Sequence, residues 1–548
     1  MTILGSQWLG SAGPAEFDPE TIGNSVWLDG SADCMGRQNG SPFADGKKTI
    51  FSFWIQRCKF LTQQAIFGSI DPDGFIIQFE STDKFWIYSN NGSSNYKTTR
   101  LFRDTAWYHF IVSFDTTESV AADRIKIWVN GVEETSFSTQ TTLALNDADF
   151  GISAAQTGSS VMRLGAYNNT SGNLYPWNGY VAQFSMLESN SIQNGDFAVS
   201  DFLDTFAMGT NGSQFIPKKD SAIAALASTA GGNSFCLDFA ASADLGNDIS
   251  SNNQDLTPIS MAAANQSGST PSKEYAVWNP LDESIGNSAY ADLVLGNGSL
   301  KCTSGNGSGV KSTFNLPDGS WYSEHTCTTV LTNQCIGIAT SAALLGATAN
   351  TNIVNTWAYN VGSGDKNEGT TETAEGDTFS NGDILGLAVT KSGSTINIWY
   401  ARNNTWQSGN PSTGATPTTT ATITEDIFFV IRLTNGGTRE TNSNFGQQTF
   451  SYTPPTDFLA LGSSNLPTPD YQGVDYFKPL LYAGNGTAIG SGGKAVTGTG
   501  FQPDFTWIKN RDALDDHSLY DSVRGVTKQI ETNNTAAETT EAESLTTF

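Results

Sequence analysis

The stretch from Asp104 to Val132 constrains the fold more than any other part of the chain. It reads Trp107-Tyr-His-Phe-Ile-Val-Ser-Phe114-Asp115, then Arg124-Ile-Lys-Ile-Trp128-Val-Asn130-Gly131-Val132. Apolar and polar residues alternate, which is the period of a strand with one face buried. Asn130-Gly131 stands where a two-residue hairpin must turn, and only residues that tolerate positive φ fit such a turn cheaply. A chain with this signature builds antiparallel sheet.

Other segments read the same way. Thr49-Ile-Phe51-Ser-Phe53-Trp54-Ile55 alternates as a half-buried strand should, and Gly74–Phe79 is predicted to pair with Lys84–Tyr88 across a short turn. Residues 190–233 read as an irregular, partly helical excursion. Ser234-Phe-Cys236-Leu-Asp238-Phe239 then echoes Ser25-Val-Trp27-Leu-Asp29. The 548 residues include 55 glycines, and charged residues make up only 15%, against roughly 25% in an ordinary domain. Turn-rich β-structure has this composition, and long helical stretches are almost absent.

Formal net charge is −26. Non-specific nucleic-acid binding, which needs clustered Lys and Arg, is excluded as a function class, and docking on an anionic membrane is disfavoured. There are six cysteines and no Cys-x-x-Cys pair, so a zinc ribbon is not expected and the thiols read as small buried apolar residues. No run of 18 apolar residues exists, so no transmembrane helix or membrane insertion is expected. Met1–Trp8 lacks a basic segment followed by a long apolar core and does not read as a secretion signal.

At this level the chain resembles two families in series. The 104–132 pattern, with Val161–Gly165 and Trp177–Phe184, is similar to the concanavalin A-like (laminin-G/pentraxin type) jelly roll. Gly319–Glu324, Cys335–Ala339, Gly382–Val389 and Thr395–Tyr400 follow in an order that resembles the SPRY domain; Tyr400-Ala-Arg-Asn403-Asn404 departs from its usual turn. Phe501–Arg511 and His517–Gly525 resemble the opening of a module that follows the SPRY-like one in phage fibre-type proteins. The expected fold is all-β, with tandem β-sandwich (jelly-roll) domains and a partial third β module. The expected division is an N-terminal arm for virion attachment at 1–21, a concanavalin A-like sandwich at 22–264 and a linker at 265–275. A SPRY-like sandwich at 276–456, a linker at 457–475 and the partial module at 476–548 complete it. The chain stops where further strands are expected, so either another chain completes the module or the sequence is a fragment of a longer protein, the favoured reading.

The resemblance implies a bacteriophage virion protein, a tail fibre or similar appendage that adheres to host surface polysaccharide by non-covalent recognition. Other virion proteins and further copies of the chain, as a trimer, are the implied partners. The implied location is the virion, after synthesis in the host cytoplasm without a signal peptide. Two alternatives stay open: a capsid or tail decoration protein that reads no receptor, and a polysaccharide depolymerase.

Catalytic signals are sparse. Glycoside hydrolysis needs two carboxylates about 5–9 Å apart, and no alternating Glu-x-Asp-x-Glu run occurs. His325 and Cys327 share a strand face, the placement a Cys-His pair would need, but alternation produces many such coincidences. The chain is therefore expected not to be an enzyme and to need no cofactor. Calcium is the one open ligand: Ser69-Ile-Asp71-Pro72-Asp73-Gly74 with Glu80 fits part of an EF-hand loop, although Ser69 replaces the first Asp and Pro72 is awkward, so an acidic hairpin turn competes.

Sugar sites use aromatic faces for the rings and Asn, Asp or backbone groups for the hydroxyls. Tyr167, Tyr175 and Trp177 flank Asn-rich turns, Trp357 and Tyr359 lie near Asn360, and Trp406 follows Asn403-Asn404. These six are the candidate glycan contacts. Trp54, Trp128, Trp399 and Trp507, within strands, are expected in the core.

Overall fold

The computed structural model describes all residues except 1–20, 39–45, 69–74, 90–94, 148–161, 170–171, 208–212, 283–292, 305–307, 346–353, 434–436, 468–475, 487–492 and 543. Residues 1–20 of the expected N-terminal arm and the acidic residues Asp71 and Asp73 lie outside the described residues.

The alternating segments form two facing antiparallel sheets. In one, the spatial order is Val132–Glu133, Ile125–Val129, Trp107–Asp115, Lys48–Arg57, Asn178–Glu188, Ser25–Asp29 and Gln266–Ser267, with Phe235–Leu237 also paired to Asn178–Glu188. In the other, it is Phe137–Thr141, Asn95–Leu101, Lys84–Ser89, Phe75–Phe79, Gln64–Gly68, Met162–Leu164, Cys34–Arg37 and Thr257–Ile259. Asn130 and Gly131 turn the hairpin at φ 49° and 78°, both left-handed, as a type I′ turn requires. Phe51, Phe53, Phe67, Phe110 and Phe184 from the two sheets meet in an aromatic core. The Ser234–Phe239 echo returns to this sandwich as expected, and Asp220–Ala230 is the helix within the 190–233 excursion.

The strand Lys48–Arg57 corrects its sequence reading. It is buried on both faces, not one: Phe51, Phe53 and Ile55 point into the core, while Ser52, Trp54 and Gln56 on the other face are 2%, 5% and 1% exposed. Two bodies cover that outer face. The helix Asp220–Ala230 packs Ile223, Ala224 and Ala227 over Ile50, Ile111 and Trp128. The second sandwich packs over Trp54, Trp107, Tyr180 and Ala182.

That second sandwich has one sheet in the order Val294–Gly296, Lys301–Ser304, Arg439–Asn444, Gly319–Thr329, Ile384–Ser392, Thr395–Arg402 and Thr405–Trp406. The facing sheet runs Ser308–Asn315, Ile427–Leu433, Gln334–Thr340, Thr356–Asn360, Asp365–Glu368 and Thr371–Ala374. Both sandwiches belong to one compact unit. The segment 265–275, a linker by composition, is largely buried between them. Gln266–Ser267 adds a strand to the first sandwich, the Gly268 amide donates to the Gln447 carbonyl at 2.7 Å, and the Ala276 amide donates to the Leu461 carbonyl at 2.9 Å. The Ser/Gly/Thr/Pro composition that marks a linker here satisfies backbone groups in a tight seam. The start of the expected linker at 457–475 is likewise sandwich: Leu461 is fully buried and Leu459–Ala460 pairs with Trp321–Tyr322.

A separate unit comprises Thr205–Gln214 and Thr468–Phe548. Its sheet runs Phe505–Ile508, Ser518–Asp521, Lys528–Glu531 and Thr539–Thr540. Trp507, expected in a core, is 59% exposed here, and Phe505 is 55% exposed. Among the described residues no helix is long and apolar enough to cross a membrane.

Candidate functional site

The strand Lys84–Ser89 sends Phe85 and Ile87 into the core and turns Lys84, Trp86 and Tyr88 outward. Alternation alone dictates this split. Across the sheet, Trp86 lies opposite Lys97 on one side and Gln78 on the other; Tyr88 lies opposite Asn95 and Ile76. The outer face therefore carries a row of rings between polar ends. The Trp86 and Tyr88 ring centroids are 5.1 Å apart. The Lys97 ammonium sits 4.5 Å from the Trp86 ring centroid, and the Trp86 indole donates to Asn95 Oδ1 at 2.8 Å. These contacts fix the ring in place, and both Trp86 and Tyr88 stay half-buried.

The row continues over the neighbouring strands. Ala65, Ile76 and Tyr167 form a small outer cluster against which Tyr88 and Leu174 pack. Gly68 lets Tyr167 lie close, since a Cβ there would stand 3.0 Å from its ring. Tyr175 is 36% exposed and adopts φ 53°, a conformation that costs a non-glycine residue roughly 1–2 kcal/mol. Its carbonyl accepts from the Ala65 amide at 2.7 Å, which docks it at the edge of the row. Burial, and then the neighbouring Tyr175 and Tyr88, raise the Tyr167 phenol above its usual range. The row presents aromatic faces with hydroxyl donors at their edges. Such a surface can stack on the apolar faces of a sugar and hydrogen-bond its rim.

Of the six sequence candidates, Tyr175 joins this row at its exposed edge, and Tyr167, only 7% exposed, supports it from a buried position. The other four do neither. Trp177 has no exposed surface and packs on Phe79 with ring centroids 6.0 Å apart; a wholly buried ring has no face to offer a ligand. Tyr359 is equally buried, and its hydroxyl donates to the Asp377 carbonyl at 2.8 Å. Trp357 packs against the core of the second sandwich, and Trp406 against the Tyr322–Trp399–Phe458 cluster. Sequence reasoning passed over Trp86 and Tyr88. The signal available was two aromatics on the face that also carries Lys84, Asn95 and Lys97.

The remaining sequence candidates have structural partners. Glu80 accepts from Lys97 Nζ and Thr82 Oγ1, each at 2.6 Å, and these bonds hold its carboxyl below the usual range despite partial burial. A calcium ion in the Asp71–Glu80 loop would compete with that ion pair. Among the described residues no group of three or more His, Cys, Asp and Glu side chains could hold a metal. His325 is buried between Ser323 and Ser443 hydroxyls, each 2.9 Å from a ring nitrogen, and Cys327 Sγ faces the His325 backbone carbonyl instead of the ring. Buried carboxylates hold loops: Glu188 accepts from the Asn233 amide and side chain, and Glu324 from the Ser451 and Tyr452 amides and the Tyr322 hydroxyl.

Residues 38–190 match the concanavalin A-like lectin/glucanases superfamily, and residues 472–548 match a domain family of unknown function, DUF7483. No curated protein matches the chain. Among solved structures, the SPRY domain of human HERC1 is similar at 14% identity, with a TM-score of 0.23, over 29% of this chain and 94% of that one. A protein from Bacteroides ovatus named as a carbohydrate binder is similar at 14% identity, with a TM-score of 0.23, over 36% of this chain and 60% of that one. A heptameric SAP-like pentraxin from Limulus polyphemus is similar at 13% identity, with a TM-score of 0.24, over 36% of this chain and 93% of that one. The class is thus an all-β protein of tandem sandwiches, with the concanavalin A-like match falling within the first.

Proposed function

We propose that the chain binds glycans without cleaving them, through the outer aromatic row of the first sandwich. The observation that carries this reading is the half-buried Trp86–Tyr88 pair, held by Lys97 and Asn95 on a rigid sheet. Rigid aromatic faces flanked by a few polar groups suit a ligand with apolar faces and a hydroxyl rim. The match of 38–190 to a superfamily of lectins and glucanases supports the same substrate class. The commitment of the buried glutamates and histidines to structural partners favours binding over hydrolysis.

The finer reading is a virion appendage of a bacteriophage, with residues 1–21 attaching it to other virion proteins and oligomerisation, as a trimer, multiplying weak sites. It rests on the order of the three modules in the sequence.

The test is adhesion of purified protein to intact host cells, before and after enzymatic removal of surface glycans, with the medium assayed for released oligosaccharide. Binding that is lost on stripping, drops about tenfold in Trp86→Ala, and releases no sugar is the expected result. Released oligosaccharide would establish a depolymerase instead, and binding indifferent to stripping would end the glycan reading.

A further inference from the structure

A second feature suits a carbohydrate and lies far from the aromatic row in sequence. A groove of about 920 Å³ runs along the seam between the two sandwiches, walled by Asn24, 263–264 and 266–268 on one side and by 446–454 on the other. No lining residue is charged, in a chain whose net charge is −26. The wall is made of amides, hydroxyls and backbone, with Phe450 and Tyr452 as its two rings.

The loop carrying those rings is held from beneath. Glu324, 3% exposed, accepts from the Ser451 amide at 2.7 Å and the Tyr452 amide at 2.9 Å. Phe450 packs edge-on against Tyr322 with ring centroids 5.0 Å apart. Asn444 accepts from the Gly446 amide and donates to the Gln448 carbonyl at 3.1 Å. Opposite walls are joined by Gln448, whose side chain donates to the Ala264 carbonyl. The groove is therefore preformed. One donor in its wall is unspent: Gln447 is 3% exposed, its Oε1 accepts from the Phe445 amide at 2.8 Å, and its Nε2 has no acceptor. That donor belongs to a residue of the groove wall and has no protein acceptor.

We propose that the groove between the sandwiches is a second saccharide site, specific for uncharged oligosaccharide. The inference rests on the glycan-binding reading and extends it to a different surface. The size favours several sugar units over one, because sites of this volume lie at the upper end for small-molecule ligands. Uncharged walls give no counter-ion to a uronate or sialic acid, so acidic sugars gain nothing there.

The test uses the full chain and two probe sets, neutral tetrasaccharides (maltotetraose, cellotetraose, mannotetraose) and oligogalacturonate, read by saturation-transfer NMR and calorimetry. Variants are Thr449→Trp, which fills the groove from an exposed position, Tyr452→Ala, which removes a ring but keeps the clamped backbone, and Trp86→Ala for the aromatic row. The expected result is a neutral probe that still binds Trp86→Ala, binds each groove variant at least about tenfold more weakly, and is preferred over the acidic probe. Equal binding of a neutral probe by wild type and both groove variants would overturn the groove site while leaving the aromatic row intact. Loss in the groove variants alone, with Trp86→Ala like wild type for every glycan, would leave the groove and retire the row. Acidic probes bound as tightly at the groove as neutral ones, or no probe bound at all, would overturn the proposal.

Discussion

The Tyr180 hydroxyl, in the first sandwich, donates to the carbonyl of Gly298, in the second, at 2.9 Å. Tyr180 is fully buried, and Gly298 takes φ 62° with its Cα so close that a Cβ would lie 2.6 Å from the phenol ring. This bond is one of several that tie together two sandwiches that the sequence separates by a linker. Tyr180→Phe leaves that carbonyl buried without its donor, and is expected to lower stability by about 1–3 kcal/mol. Urea unfolding followed by tryptophan fluorescence checks this, and a midpoint unchanged from wild type would show that the bond contributes nothing.

The seam makes a second prediction about backbone access. Lys273 stands in a segment with linker composition, yet the Lys273 amide donates to the Thr270 carbonyl at 3.1 Å and Glu274 accepts from Gln56 Nε2 at 2.6 Å. Cleavage needs a locally unfolded chain. Trypsin under native conditions is expected to spare the bond after Lys273 while cutting at exposed Lys509 or Arg511. Early fragments ending at Lys273 would contradict a fused pair of sandwiches.

These two cases show what the sequence could and could not carry. The hairpin at Asn130-Gly131 was legible because the turn chemistry is local. The strand Lys48–Arg57 was legible as a strand, but its second buried face was not: Trp54 and Gln56 are covered by residues more than 200 positions away, among them Glu274. Tyr175 and Trp177 sit two positions apart beside the same turn, and the structure puts one at the surface and the other in the core. Period-two reasoning stops at the end of a strand, so loop position alone could not separate them. Trp507 failed for the opposite reason. Its strand lies in a unit where, among the described residues, Tyr520 is the one buried large side chain, so a strand aromatic had no core to enter.

Buried histidines set a pH dependence. Burial pushes the His109 and His325 imidazoles down to about 3. The unfolded chain, with histidines near 6.5, then binds more protons than the folded one between pH 6.5 and 3, so their contribution to stability is complete above 6.5 and declines on acidification through that window. At pH 5 each is expected to have lost about 2 kcal/mol. Burial pushes the Asp220 carboxyl up to about 7, and its contribution runs the other way, gaining stability as pH falls. The histidine effect is therefore read by difference: between pH 7 and 5, His325→Gln should change by about 2 kcal/mol more favourably than wild type. Parallel pH profiles would mean that His325 does not stay neutral.

All six cysteines are buried as thiols. Burial drives the Cys58, Cys327 and Cys335 thiols up to about 12, so the reactive thiolate is scarce. Ellman's reagent is expected to titrate almost no thiol in the native protein and six in guanidinium, and reducing agent should leave Tm unchanged. Fewer than six thiols on unfolding would reveal a disulfide.

The central claim is that a glycan rests on the outer row of the first sandwich. Hydroxyl-radical footprinting of the protein, free and saturated with a polysaccharide it binds, tests this most directly. The account predicts that oxidation of Trp86, Tyr88 and Tyr175 falls on binding while that of Trp507 does not. Unchanged oxidation of Trp86 and Tyr88 in the saturated complex would contradict it.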